Sequence, residues 1–143
     1  MAIKVLEIHH HAIRMEGASE DEVLNFYSNV LGMPADTGRP TIPGVPGYWI
    51  NAGHGGQLHL IGGQAPSPLA RGPGKDPAAP HVALGVESVA DTKAELERLG
   101  VPYWTTRAAN PELEQVFVND PCGNMIELHQ AGSCRCTLAN RSR

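Results

Sequence analysis

The sequence predicts an α+β domain in which a curved, mostly antiparallel sheet carries helices on its outer face. Two observations predict it. The first is an internal repeat: Gly100 follows Gly32 at the same sequence distance as Glu127 follows His59. The flanks correspond, Val30-Leu31-Gly32-Met33-Pro34 with Arg98-Leu99-Gly100-Val101-Pro102, and Leu58-His59-Leu60 with Ile126-Glu127-Leu128. The openings, His10-His11-Ala12-Ile13 and His81-Val82-Ala83-Leu84, match at a larger offset because the first opening segment is longer. The second observation is that each copy reads as strand, helix, then strands.

Val5 to Arg14 is aliphatic, β-branched and free of breakers, which predicts the first strand. Ser19-Glu20-Asp21-Glu22 is a capping box, and Val23, Phe26, Tyr27, Val30 and Leu31 follow at helical spacing until Gly32 and Pro34 end the helix. Residues 48–51 and 57–61 read as strands joined by Gly53-His54-Gly55-Gly56, a hairpin. Residues 62–80 are dense in Gly and Pro and read as a solvated connector between modules, in which Arg71 and Lys75 could close over an anionic substrate. The second module repeats the plan with a strand over 81–86 and a helix from a Ser88 cap to Leu99, ended by Gly100 and Pro102. A hairpin over 114–119 and 125–129 follows, with Asp120-Pro121-Cys122-Gly123-Asn124 at its turn. One domain is expected over 1–131, with module one about 3–62, linker about 63–80, module two about 81–131, and a tail over 132–143.

At 143 residues, with 41% hydrophobic and 18% charged residues, the chain is ordinary for a globular protein. A net charge of −4 without a basic cluster gives no footprint for nucleic acid or an anionic membrane. No apolar run approaches the roughly 20 residues that span a bilayer, and the start lacks a signal peptide's apolar region, so a cytoplasmic location is expected. Cys122, Cys134 and Cys136 cannot all pair within the chain, and a reducing compartment would keep them as thiols. Cys134-Arg135-Cys136 could also hold a soft metal, a weak motif by itself.

Strand alternation places Ile8, His10, Ala12 and Arg14 on one face and His9, His11 and Ile13 on the other. The repeat selects His10 and His81, which both open a His-x-Ala-aliphatic stretch, with His11 as the fallback. The inward candidates are His10, His59, His81 and Glu127, a set that suits zinc, nickel, cobalt, manganese or iron. Glu127 lies between aliphatics, where a carboxylate is costly to bury unless a cation is beside it. His129 shares its face and reads as a surface histidine.

These residues resemble the vicinal oxygen chelate superfamily, which includes glyoxalase I, methylmalonyl-CoA epimerase, fosfomycin-resistance transferases, extradiol dioxygenases and bleomycin-resistance proteins. The carriers are His10-His11-Ala12-Ile13, Phe26-Tyr27-Ser28-Asn29-Val30-Leu31-Gly32-Met33, Gln57-Leu58-His59-Leu60 and residues 120–128, over about 3 to 130. The resemblance implies paired βαβββ modules forming a cupped sheet around one divalent metal ion per site, with His10, His59, His81 and Glu127 as ligands. It also implies a homodimer, with sites within one chain or between two. Arg14 matches a position that in glyoxalase I contacts the carboxylate of glutathione.

Four ligand positions, one per strand, lean toward a glyoxalase-like lyase or isomerase acting on a small carbonyl or thioester compound or a thiol conjugate. Glyoxalase I commonly has glutamate where this chain has His59, and the epimerase has glutamine there and a separate glutamate base, so neither identity transfers whole. The expected chemistry is an enediolate stabilised by Lewis-acid electrostatics, with Glu127 or a displaced water moving the proton. An iron-dependent extradiol-type dioxygenase is the alternative and requires His59 off the metal, leaving a facial triad. A non-catalytic drug-binding protein of the bleomycin-resistance kind is the third reading.

Overall fold

The computed structural model describes residues 3–53, 55–107, 110–134 and 136. Val5–Arg14 form strand β1, and Ser19 caps helix α1, Glu20–Asn25, by accepting from the Glu22 amide at 3.2 Å. The helix is shorter than its apolar spacing predicts. At Phe26–Val30 it widens into one π turn, closed by the Leu31 N–H donating to the Phe26 carbonyl at 3.0 Å, and Gly32 ends it at φ 69°. The hairpin of β2, Gly47–Asn51, and β3, Gln57–Ile61, forms as the sequence predicts, while His54 in its turn lies outside the described residues.

Module two comprises β4, His81–Val86; α2, Val89–Leu99; β5, Trp104–Thr106; β6, Gln115–Asn119; and β7, Met125–Gln130. Ser88 caps α2 by accepting from the Asp91 amide, and Gly100 closes it at φ 70°. β5 has no signature in the sequence because three residues are too few to show alternation. Its counterpart in module one is a single bridge between Ala35 and Ile50. Pro34 beside it lacks an N–H to donate, so the pairing does not extend.

All seven strands join in one open, mixed sheet ordered β2-β3-β1-β4-β7-β6-β5. β1 and β4 meet antiparallel at its centre, and each pairs in parallel with the last strand of its own module, β3 and β7. The other three pairs are antiparallel, so the sheet is mostly antiparallel as expected. This symmetry brings the inner faces of β1, β3, β4 and β7 side by side. On the outer face, α2 covers a core of Val86, Val89, Leu96, Val116 and Leu128, while Val23, Leu24 and Tyr27 pack against Met15, Ile50 and Leu60. A third cluster, Ala12, Val45, Ile61 and Ala78, lies on the cupped side. The connector is therefore more than solvated chain, since Ser67 and Ala78 are buried and Leu69 packs beside Ala78. No helix among the described residues is long and apolar enough to cross a membrane.

Of the expected tail, residues 137–143 lie outside the described residues. Cys134 and Cys136 are joined as a disulfide, where separate thiols were expected; the chain folds back after β7 and buries Cys136 against His9. Cys122 is free and exposed.

Candidate metal centre

Strict alternation would send His9 outward, but the register of β1 against β4 slips between Ile8 and His10. His9 is the extra residue of a bulge, and such bulges re-aim side chains. As a result His9 and His10 are both buried and His11 is exposed, which removes His11 as the fallback ligand.

His10 Nε2 lies 3.9 Å and His81 Nε2 3.5 Å from the same Glu127 oxygen, Oε1. The donor atoms of His10, His81 and Glu127 all fall within 4.8 Å of one another. Glu127 is only 2% exposed, and the Gln115 side-chain amide donates to its Oε1 at 2.9 Å. His81 donates from Nδ1 to the Ala79 carbonyl at 2.6 Å, so in the neutral ring Nε2 holds the lone pair and faces the carboxylate. Two electron-rich atoms in a buried site repel unless a cation lies between them. Among the described residues His81 Nε2 has no hydrogen-bond partner. Two imidazoles and a carboxylate with such an orphaned nitrogen fit a borderline divalent ion.

His59 stands beside this group rather than in it. Its ring stacks on His10 with centroids 3.6 Å apart and runs parallel to Trp49 at 4.9 Å. Its Nε2 donates to the Gln57 side-chain carbonyl at 2.7 Å. The Gln57 amide is oriented by donating to Asn51 at 2.8 Å and Asp36 at 3.3 Å. His129 is buried, not at the surface, with Nδ1 3.7 Å from Glu127 Oε2.

Burial alone would raise the Glu127 carboxyl, but the His81 ring 3.5 Å from its Oε1, with His129 and the Gln115 amide, holds it below the usual carboxylate range. Burial alone would lower His81, yet Glu127 and the Ala79 carbonyl outweigh it and raise the ring above the ordinary imidazole value. His10 and His59 are lowered well below that value, first by burial and then by neighbouring histidines. His9 is lowered to about 4 by burial and then by His129. These three rings are therefore neutral at physiological pH.

A cavity of about 100 Å³ opens in front of His10, His59, His81 and Glu127, walled by Arg39, Ile42, Trp49, Leu69 and Ala78 among others. A second, of about 70 Å³, shares His10, His59 and Glu127 and reaches toward His9, His129 and Cys134. Arg39 was missed at the sequence level, because an arginine between Gly38 and Pro40 in a loop carries no motif. Among the described residues its guanidinium donates to the backbone carbonyls of Val45, at 2.7 Å, and Pro40, at 3.3 Å. Arg14 donates to the Gly63 carbonyl at 2.6 Å and pairs with Glu16 at 3.2 Å, and it does not line the cavity.

A family model described as the Glyoxalase/Bleomycin resistance protein/Dioxygenase superfamily matches residues 8–128. Among solved structures, the chain is similar to a hypothetical protein from Bacillus halodurans C-125, with 22% identity and a TM-score of 0.65 over 87% of this chain and 93% of that one. It is similar to methylmalonyl-CoA epimerase from Mycobacterium tuberculosis, with 21% identity and a TM-score of 0.65 over 91% of each chain. It is also similar to a variant of homoprotocatechuate 2,3-dioxygenase from B. fuscum, with 17% identity and a TM-score of 0.60 over 90% of this chain and 33% of that one. These likenesses are of fold. No curated protein sequence matches the chain at a significant level.

Proposed function

Because the chain belongs to the glyoxalase/bleomycin resistance protein/dioxygenase superfamily, we propose that it is a cytoplasmic, divalent-metal-dependent lyase or isomerase of that superfamily. In this reading His10, His81 and Glu127 hold one ion, and the substrate is a small carbonyl or thioester compound. The observation that carries it is His81 Nε2 aimed at the buried Glu127 Oε1 across 3.5 Å, with no hydrogen-bond partner among the described residues.

The bound ion would supply Lewis-acid stabilisation of the negative charge that develops on two neighbouring substrate oxygens. We give Glu127 the role of ligand, since the Gln115 amide fixes its Oε1 and the Nε2 atoms of His10 and His81 both face that oxygen. His59 is then the proton carrier. With Nε2–H held by Gln57, its basic nitrogen is Nδ1, on a neutral ring that lines the cavity. Arg39 would orient an anionic group of the substrate, because no carboxylate among the described residues is bonded to it. A cavity of about 100 Å³ suits a small reacting fragment, given that an enclosed one of about 150 Å³ holds a benzene ring. A larger carrier, such as a thiol conjugate, would stay outside the cup.

The second reading, an iron-dependent dioxygenase, is favoured by one observation. The grouped ligands are two histidines and one carboxylate, with His59 standing off. Exposed Leu6, Ile8 and Val30 support the homodimer.

Metal content of the untagged protein, combined with oxygen uptake on catechols, separates the readings. Nickel, cobalt, zinc or manganese near one per chain, without oxygen uptake, supports the lyase or isomerase. Iron with oxygen uptake favours the dioxygenase, and failure to bind any divalent ion on titration overturns both.

A further inference from the structure

We propose that, once its thiols are reduced, the chain holds a second metal site made by His9, Cys134 and Cys136, for a thiolate-accepting cation of the zinc class. The bulge in β1 turns His9 inward, and the residues after β7 fold back over it. The donor atoms of the three residues lie within 4.8 Å of one another. Cys136 is 4% exposed, with its sulfur 3.6 Å from His9 Nε2. Two thiolates and an imidazole form a soft donor set, unlike the nitrogen and oxygen donors of the first centre, and the two sites share no residue. The Cys136 backbone N–H donates to the Cys134 sulfur at 3.1 Å, which favours a charged thiolate there.

His129 adds an independent observation. It is 4% exposed, its ring lies 4.6 Å from that of His9, and its Nε2 has no hydrogen-bond partner among the described residues. It lines the same cavity as His9 and Cys134. A water completing the fourth position of a tetrahedral ion would give that nitrogen a partner.

The structure joins the two sulfurs, so the site forms only after the S–S bond takes up two electrons and two protons to give two thiols. A phosphine reductant supplies the electrons and becomes its oxide with oxygen from water. Ion binding then releases both thiol protons.

The site is also coupled to the first centre. His9 and His10 meet Nδ1 to Nδ1 at 2.8 Å and share one hydrogen there. A neutral His10 ligating through Nε2 keeps that hydrogen on its own Nδ1, which leaves His9 with a hydrogen on Nε2, facing Cys136. His9 ligation requires the reverse arrangement, so filling one site weakens the other.

The test is titration of the full chain with cobalt(II), without oxygen, after phosphine reduction confirmed by a count of all three cysteines as thiols. A thiolate-to-cobalt charge-transfer band should grow in the near ultraviolet. It should persist in C122S, and in H81A with its midpoint at lower cobalt because the rival centre is gone. It should vanish in the C134S/C136S double variant and in the oxidised protein. H9A should weaken the cobalt affinity read from this band by more than about tenfold. Absence of the band in the reduced protein, its loss with C122S, or its loss in an H81A protein of unchanged circular dichroism would overturn the proposal.

Discussion

His81 directs Nε2 at Glu127 Oε1 across 3.5 Å while its Nδ1–H is held by the Ala79 carbonyl. A buried carboxylate and the lone pair of an imidazole are stable at that distance only around a cation. Without an ion the cation is a proton on His81, whose affinity for it Glu127 raises. Metal and proton therefore compete for one place.

Metal loading near pH 6.5 should release more than about half a proton per ion, since His81 is raised above that ordinary imidazole value while His10 and His59 are already neutral. Release should fall toward zero as pH rises beyond the raised value. Calorimetry in buffers of differing ionisation enthalpy reads this directly, and no proton release at any pH would contradict it. Linkage in the metal-free protein follows the same signs. The raised His81 contributes stability that is present below its unfolded value and lost as pH rises through its folded value. The lowered Glu127 contributes stability that is present above its unfolded value and lost as pH falls through its folded one.

Glu127→Gln and His81→Ala should each weaken metal affinity by more than about a hundredfold, beyond the loss typical of groups that merely support a ligand. His59→Ala should leave metal affinity within about tenfold and lower kcat by about 10² to 10⁴, the range of general acid–base groups. Equal loss of metal in the His59 and His81 variants would instead make His59 a fourth ligand.

Arg39→Met should weaken oxalate binding to the metal-loaded protein by about ten- to a hundredfold, the value of a hydrogen bond to a charged group, and leave neutral acetohydroxamate unchanged. Arg14→Met should change neither, because Arg14 is held by Glu16 and Gly63 away from the cavity. Titration calorimetry with the two probes decides it.

The sequence showed most of the fold because its signals were local. The caps at Ser19 and Ser88 and the glycines at 32 and 100 lie where the helices begin and end. The π turn at Phe26–Val30 was not legible, since its spacing imitates a longer helix. In the cup, alternation identified the faces of β3 and β7 and the repeat picked out His81 on β4, but alternation failed at His9, where one extra residue breaks the period. The restraint of His59 by Gln57 depends on Asn51 and Asp36, which only tertiary pairing brings near. Arg39 was hidden for the same reason, as its loop joins the cavity only once folded.

Gly47→Ala should destabilise the protein by about 1–3 kcal/mol or more, the usual cost of overpacking. A methyl group there collides with the Leu60 backbone carbonyl, within the hairpin that positions Trp49 and His59. Urea denaturation measures it, and an unchanged midpoint would show that β2 does not hold this register.

The most direct test of the metal centre is a crystal structure of the metal-loaded protein with anomalous diffraction at the edge of the bound ion. One ion is predicted at about 2.0–2.2 Å from His10 Nε2, His81 Nε2 and a Glu127 oxygen, with His59 still bonded to Gln57. An ion that leaves His81 or Glu127 uncoordinated, or one that draws His59 off Gln57 into its ligand set, would contradict the account.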